Sequence, residues 1–348
     1  MDYPGEKLLL KLWETLIEKG IGGALEPWQI GRKGKAHNSV RQQELLMLAQ
    51  AEVDGNEIRA GRKELRKDGS LHVPQLGNHS QEENHRIERR IEPYIDVGSL
   101  LEFNRREKIS ELVRAEVNIS KAIIHAEKIL STDAQPAPDN TVDDDWLHEW
   151  KNYASRVSVE ELQQLWGQVL AGEIKAPGTF SLRTLEFLKG LSKTEAAKIA
   201  QLARFQIAGN IFRDYEDHFK SHGMHLSFFL EMQDLGIISN VQSVALSTSW
   251  ISTDPQNFTH AFISNGKALL CQYAKNDRVI SASVYPFTAL GKQILELGEF
   301  EPDIEYLQLI GQQWIKQGFT VSLCDSEPAG GQVFALSNCV LIQHANAP

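Results

Sequence analysis

Leu226-Ser227-Phe228-Phe229-Leu230-Glu231-Met232-Gln233-Asp234-Leu235-Gly236-Ile237-Ile238 reads as a helix stopped by glycine and followed at once by β-branched residues. Glycine is the residue that takes the left-handed position just past a helix end, so Gly236 marks the stop. Four strand-like segments follow, at residues 243–252, 259–264, 267–274 and 279–285. Ser264-Asn265-Gly266 and Lys275-Asn276-Asp277 separate the later ones, and both predict hairpin turns. A new helix then starts within Tyr285-Pro286-Phe287-Thr288-Ala289-Leu290-Gly291-Lys292-Gln293-Ile294-Leu295, with Thr288 as its cap.

The order helix, Leu-Gly-Ile-Ile, hairpin, Phe-Thr-x-x-Gly-x-x-Ile-Leu resembles the second half of a winged-helix domain. Many winged helices bind DNA, but fold alone does not fix that role. A reader helix needs basic side chains for phosphates and base edges. Leu226 to Leu235 offers none and carries Glu231 and Asp234, while the wing region holds only Lys267, Lys275 and Arg278. Without phosphate neutralisation most of the affinity is missing. The expected role is a scaffold for protein contacts, with nucleic acid as the disfavoured alternative.

Downstream, Asp303 to Gln317 reads as a helix closed by Gly318, and Phe319 to Leu323 and Gln332 to Gln343 read as two pairing strands. Upstream lies a helical stretch. Trp146, Trp150 and Tyr153 form an aromatic stripe at helical spacing, expected in the core. Ser158 with Glu161, Ser181, and Ser192 with Glu195 mark three further helix starts. Before them, Ser131-Thr132-Asp133-Ala134-Gln135-Pro136-Ala137-Pro138-Asp139 reads as a linker, and Asp143 to Asp145 suit a helix cap better than a metal.

The N-terminal part predicts long helices, over 36–67 and about 99–130, around a Gly, Pro and Ser-rich loop at 69–81. In the first, Val40, Leu45, Leu48, Val53 and Ile58 are too sparse for a globular core helix, so a partner helix is expected. The fold class is mainly α with a smaller β part. The expected division is an N-terminal helical assembly region (1–131), an acidic Pro-containing linker (132–145), a helical domain (146–220), a winged-helix-like module (221–300) and a C-terminal α/β extension (301–348).

At 348 residues the chain is too long for one small core. Its net charge of −10 argues against a globally basic nucleic-acid binder, and residues 131–348, with 15 basic against 25 acidic side chains, carry all of it. Cys271, Cys324 and Cys339 form no C-x-x-C pair and read as buried thiols of a cytoplasmic protein. The N-terminus lacks the pattern of a cleaved signal, and no apolar run is long enough to span a bilayer. Leu8, Leu9, Leu12, Trp13, Leu16 and Ile17 form one apolar helix face, followed by Arg32, Lys33, Lys35 and Arg41. Packing inside the protein or against a second subunit is the preferred reading. Peripheral contact with the inner membrane is the alternative.

Known catalytic signatures are missing. Gly20-Ile21-Gly22-Gly23 lacks the Gly-Lys-Ser/Thr of a phosphate loop, and neither G-x-S-x-G nor H-E-x-x-H occurs. His218, His222 and His225 alone have metal-like spacing, since the first two would share a helix face. Gly223 is expected to end that helix, so solvated loop histidines are the preferred reading and no cofactor is expected.

Pro4-Gly5-Glu6-Lys7-Leu8 through Trp28, and Leu165-Trp166-Gly167-Gln168-Val169-Leu170-Ala171-Gly172-Glu173-Ile174 through Leu188, resemble the bacterial domain-of-unknown-function 2806 family. The second motif and the module after it resemble, more distantly, the abortive-infection alpha family of phage-defence proteins. The resemblance implies no catalytic residues. It implies core positions for Trp166 and Phe187 and a polar contact for Glu173 or Arg183. The expectation is a non-enzymatic protein that forms homo-oligomers through its N-terminal helices and contacts another protein through its C-terminal module, in a phage-defence setting.

Overall fold

The structure, a computed structural model, describes residues 5–21, 37–66, 68–73, 97–242, 247–252, 254–329 and 333–343. It divides into two compact units, Met1–Leu185 and Glu186–Pro348. The basic residues Arg32, Lys33 and Lys35, and Gly22 and Gly23 before them, lie outside the described residues.

Unit 1 is built on α1 (Glu6–Glu18), α2 (His37–Arg59), α3 (Val97–Leu130), α4 (Asp144–Ala154) and α5 (Glu160–Lys175). Gly61, at φ +72°, turns the chain after α2, and a small hairpin follows, β1 (Glu64–Leu65) with β2 (Leu71–His72). α2 therefore ends earlier than the expected residue 67. It buries Glu44, Leu48, Gly55 and Ile58, a heptad-like seam, against α3. Gly55 sits where an added Cβ would lie 3.4 Å from Val113. Lys121 to Glu52 (3.1 Å) and Arg59 to Glu107 (3.3 Å) bridge the same two helices. These pairs are partly exposed and contribute little beyond register.

The residues read as a linker belong to this unit. Asp143 accepts from the Trp146 backbone N–H at 2.9 Å and starts α4, and Trp146, Leu147 and Trp150 are buried. Trp150 Nε1 donates to the Trp166 carbonyl at 2.9 Å, which joins α4 to α5. Gly167 makes the close crossing of α5 on α3 possible: a Cβ there would lie 2.6 Å from the His125 Cβ and 2.8 Å from the Ala122 carbonyl. The expected cap Ser158 is replaced by Val159, and the Ser158 hydroxyl accepts from Arg114 instead. Glu173 is buried near the end of α5, where its carboxylate accepts from the Gly178 and Phe180 backbone N–H groups at 2.5 and 3.0 Å. That is the polar contact expected of it. Burial pushes its carboxyl above the ordinary glutamate range, against the opposing pull of those N–H donors.

α6 (Leu182–Gly190), started by Ser181, leads into unit 2. There α7 (Lys193–Ala203) opens with the expected Ser192–Glu195 capping box. Next come β3 (Asn210–Phe212), α8 (Glu216–Ser221), α9 (Leu226–Asp234), β4 (Ser247–Trp250) and β7 (Ile280–Pro286), with β7 paired between β3 and β4. The order helix, strand, two helices, two strands, with the last strand between the other two, resembles that of the winged-helix-like module expected. Gly236 closes α9 at φ +76°, and Thr288 caps α10 (Ala289–Leu295) by accepting from the Gly291 N–H at 2.9 Å.

The wing differs from expectation. β5 (Phe258–Ser264) and β6 (Lys267–Tyr273) form a hairpin inserted between β4 and β7, and Asn265 and Gly266 both take positive φ at its turn. β6 pairs onward with β8 (Thr320–Pro328), not with β7, and β8 pairs with β9 (Phe334–Leu341). Lys275-Asn276-Asp277 is thus a passage from one sheet to another. α11 (Ile304–Lys316) packs on β6 and β8 with Leu307, Ile310 and Trp314 buried, so residues 301–343 complete the inserted sheet rather than extend the fold.

Cys324 and Cys339 are joined across β8 and β9, and Cys271 stays a buried thiol. This corrects the reading of three unpaired cysteines, because strand pairing brings together residues 15 apart that no motif connects. Among the described residues no helix is long and apolar enough to cross a membrane.

Three outcomes are expected. Gly167→Val should destabilise unit 1 by about 2 kcal/mol or more, because backbone lines the crossing, read as a lower urea midpoint. Reduction, or Cys339→Ser, should remove up to about 3 kcal/mol from unit 2; an unchanged midpoint would show that the disulfide is not formed in solution. For Glu173, the raised folded value means that its stabilisation is fully present below the ordinary value of 4.5 and is lost as pH rises through the folded value. Glu173→Gln should therefore gain stability relative to wild type as pH rises above the ordinary value of 4.5, and a pH-independent difference would reject this.

Candidate functional site

Two histidines and one carboxylate converge in unit 2. His218 lies on the short α8, His222 is the residue that ends it, and Gly223 follows at φ +72°. Asp303 caps α11, accepting from the Tyr306 backbone N–H at 2.9 Å. Its own backbone N–H donates to the Arg204 carbonyl at 3.0 Å, so the cap is fixed from both sides.

The ligand-type atoms of His218, His222 and Asp303 all lie within 4.8 Å of one another. His218 Nε2 is 3.0 Å from Asp303 Oδ1 and His222 Nε2 is 3.4 Å from Asp303 Oδ2. The side chains of His218 and Asp303 are 7% and 6% exposed, whereas that of His222 is 29% exposed, so the cluster opens to solvent on one side. Phe205 forms its floor. It meets His218, His222, Phe219 and Tyr306 edge-on, with ring centroids 5.4–6.0 Å apart. Arg204 is a more distant neighbour, 3.8 Å from Asp303 Oδ2, and Glu305 Oε1 is 4.0 Å from His218 Nδ1.

Hydrogen bonding fixes one tautomer. A backbone carbonyl can only accept, and His222 Nδ1 is 2.9 Å from the His218 carbonyl oxygen, so Nδ1 carries a proton. In neutral His222, Nε2 then presents a lone pair toward the Asp303 carboxylate.

His218 also borders a polar cleft of about 630 Å³ with Arg213, Asp214, Tyr215 and Tyr285. Arg213 lies over the Tyr285 ring at 4.6 Å, and the Tyr215 hydroxyl donates to Gln313 Oε1 at 2.5 Å. Burial pushes the Tyr215 hydroxyl well above the ordinary tyrosine range.

Of the three histidines spaced like ligands, the structure brings two together. His225 is exposed at the start of α9 and takes no part; Asp303 stands in its place. The sequence signals Asp303 as a helix start, but nothing there signals its approach to a histidine 85 residues earlier. The N-terminal apolar face packs within unit 1. Leu8, Leu9, Leu12 and Leu16 are buried where α1 packs on α3 and α5, and Trp13 Nε1 donates to Glu127 at 3.3 Å. Ile17 alone of the six is exposed.

A family profile described as "Protein of unknown function (DUF2806)" matches residues 103–311, which run from α3 into α11 and include His218, His222 and Asp303. No curated protein and no solved structure matches the chain. With more than half of its length matched, the chain belongs to the domain-of-unknown-function 2806 family.

Proposed function

We propose that this protein works by assembly and protein contact: copies associate through the long helices of unit 1, and unit 2 offers a rigid surface to another protein. The supporting observation is an exposed apolar set on otherwise polar helices. Leu45, Leu46 and Val53 on α2, and Leu100, Leu101, Phe103 and Leu112 on α3, are all exposed although the α2–α3 seam is already filled by other side chains. Apolar side chains left exposed along otherwise polar helices offer contact sites for further helices. Each one buried on association would contribute roughly 1.5–3 kcal/mol.

The winged-helix arrangement favours a nucleic-acid reading, and its chemistry opposes that reading. α9, in the reader position, has no basic residue, and its Glu231 is held by Lys198 at 2.6 Å. A polyanion would meet carboxylates where it needs cations. A phage-defence setting is part of the proposal, and phage challenge tests it.

Multi-angle scattering of the full chain should show an oligomer that Leu101→Glu with Leu112→Glu reduces toward monomer at unchanged helicity. A monomeric wild type, or a variant that assembles equally, rejects the proposal. In cells challenged with phage, protection by wild type and its loss in the same variant would tie assembly to defence. On immobilised duplex DNA at low salt, no retention is expected; retention that falls with salt would favour the regulator reading instead.

A further inference from the structure

We propose that His218, His222 and Asp303 form a binding site for one divalent transition-metal ion of the zinc type, with two imidazole nitrogens and one carboxylate oxygen as protein ligands and solvent completing the shell. Zinc sits about 2.0–2.1 Å from such atoms, so tetrahedral neighbours lie about 3.3 Å apart. His218 Nε2 lies 3.0 Å from Asp303 Oδ1 and His222 Nε2 lies 3.4 Å from Asp303 Oδ2, and with one atom taken from each residue all three lie within 4.8 Å, so a small closure of the side chains brings them to that spacing.

Proton placement argues in the same direction. His222 Nδ1 holds its proton against the His218 carbonyl, so Nε2 has a lone pair unless the ring is doubly protonated. That lone pair and the Asp303 carboxylate are both acceptors, and they face each other 3.4 Å apart over an apolar floor. Something positive belongs between them. A metal ion satisfies both, and also takes the Nε2 of His218 once that nitrogen gives up its proton.

One histidine has the outer contact of a built site, and the other has a carboxylate near its second nitrogen. Ligating histidines ordinarily donate their second ring N–H to a carbonyl or carboxylate. His222 does so to the His218 carbonyl at 2.9 Å, and His218 Nδ1 lies 4.0 Å from Glu305 Oε1. Asp303 is oriented by its cap bond to Tyr306, and Phe205 fixes the planes of both imidazoles. Arg204 is the opposing charge, 3.8 Å from Asp303 and nearly half exposed, so it can turn to solvent when an ion enters. Two nitrogens and one oxygen suit zinc, cobalt, nickel or ferrous iron better than calcium or magnesium.

The test uses the untagged full chain, stripped with chelator and titrated with Zn²⁺, with bound metal counted by mass spectrometry of the elements. Wild type should saturate at one ion per chain, raise its melting temperature on loading, and give a visible d–d band with Co²⁺. His222→Gln and Asp303→Asn should abolish all three effects, whereas His225→Gln should leave them intact. Asn retains the capping oxygen, and His222 is partly exposed, so both variants are expected to fold as apo protein. Should Asp303→Asn fail to fold, His222→Gln and the wild-type cobalt spectrum decide. Wild type that binds no more zinc than His222→Gln, or binding that disappears with His225→Gln, overturns the site. In the first case the cluster is a hydrogen-bonded His–Asp–His contact only.

Discussion

Unit 2 depends on the burial of one ring, Phe205. It is fully buried just past the end of α7 and packs edge-on against Phe219, Tyr306 and both cluster histidines. Tyr306 extends the contact: its hydroxyl donates to the Phe212 carbonyl at 2.9 Å and accepts from the Phe212 N–H at 2.7 Å, tying α11 to the first strand of the wing sheet. α7, α8, β3 and α11 are therefore registered to one another through a single aromatic centre. The polar cluster sits on that centre, and its geometry is as rigid as the packing beneath it.

Much of the helical framework was legible from residue type alone. Ser192, Thr288, Asp143 and Asp303 all cap where their short polar side chains announce it, because a cap is a local contact. Gly236 and Asn265-Gly266 are legible for the same reason, since positive φ is local chemistry. What stayed hidden is non-local. Alternation shows that residues 267–273 form a strand, but not that its second neighbour is β8 across some fifty residues rather than β7 nearby. The disulfide follows from that pairing and was equally invisible.

The cluster shows the same boundary. The spacing of His218 and His222 carried a signal through the periodicity of one helical turn. Spacing along the chain points to His225 as the third group, whereas the fold supplies Asp303 from another element. In unit 1 the sparse apolar content of α2 correctly called for a partner helix, and α3 is that partner. Which of its apolar residues would stay outside the seam was not legible: Leu45 and Val53, read as part of one set with Leu48 and Ile58, face outward.

The Cys324–Cys339 link carries a mechanical consequence for the outermost strand. Among the described residues β9 pairs with β8 alone, and most of its side chains are exposed. A strand so placed would ordinarily peel away under small thermal fluctuations and leave β8 bare. With a covalent rung partway along its length, peeling from either end stops at the tether, so the strand can swing only a few residues before it re-forms its ladder.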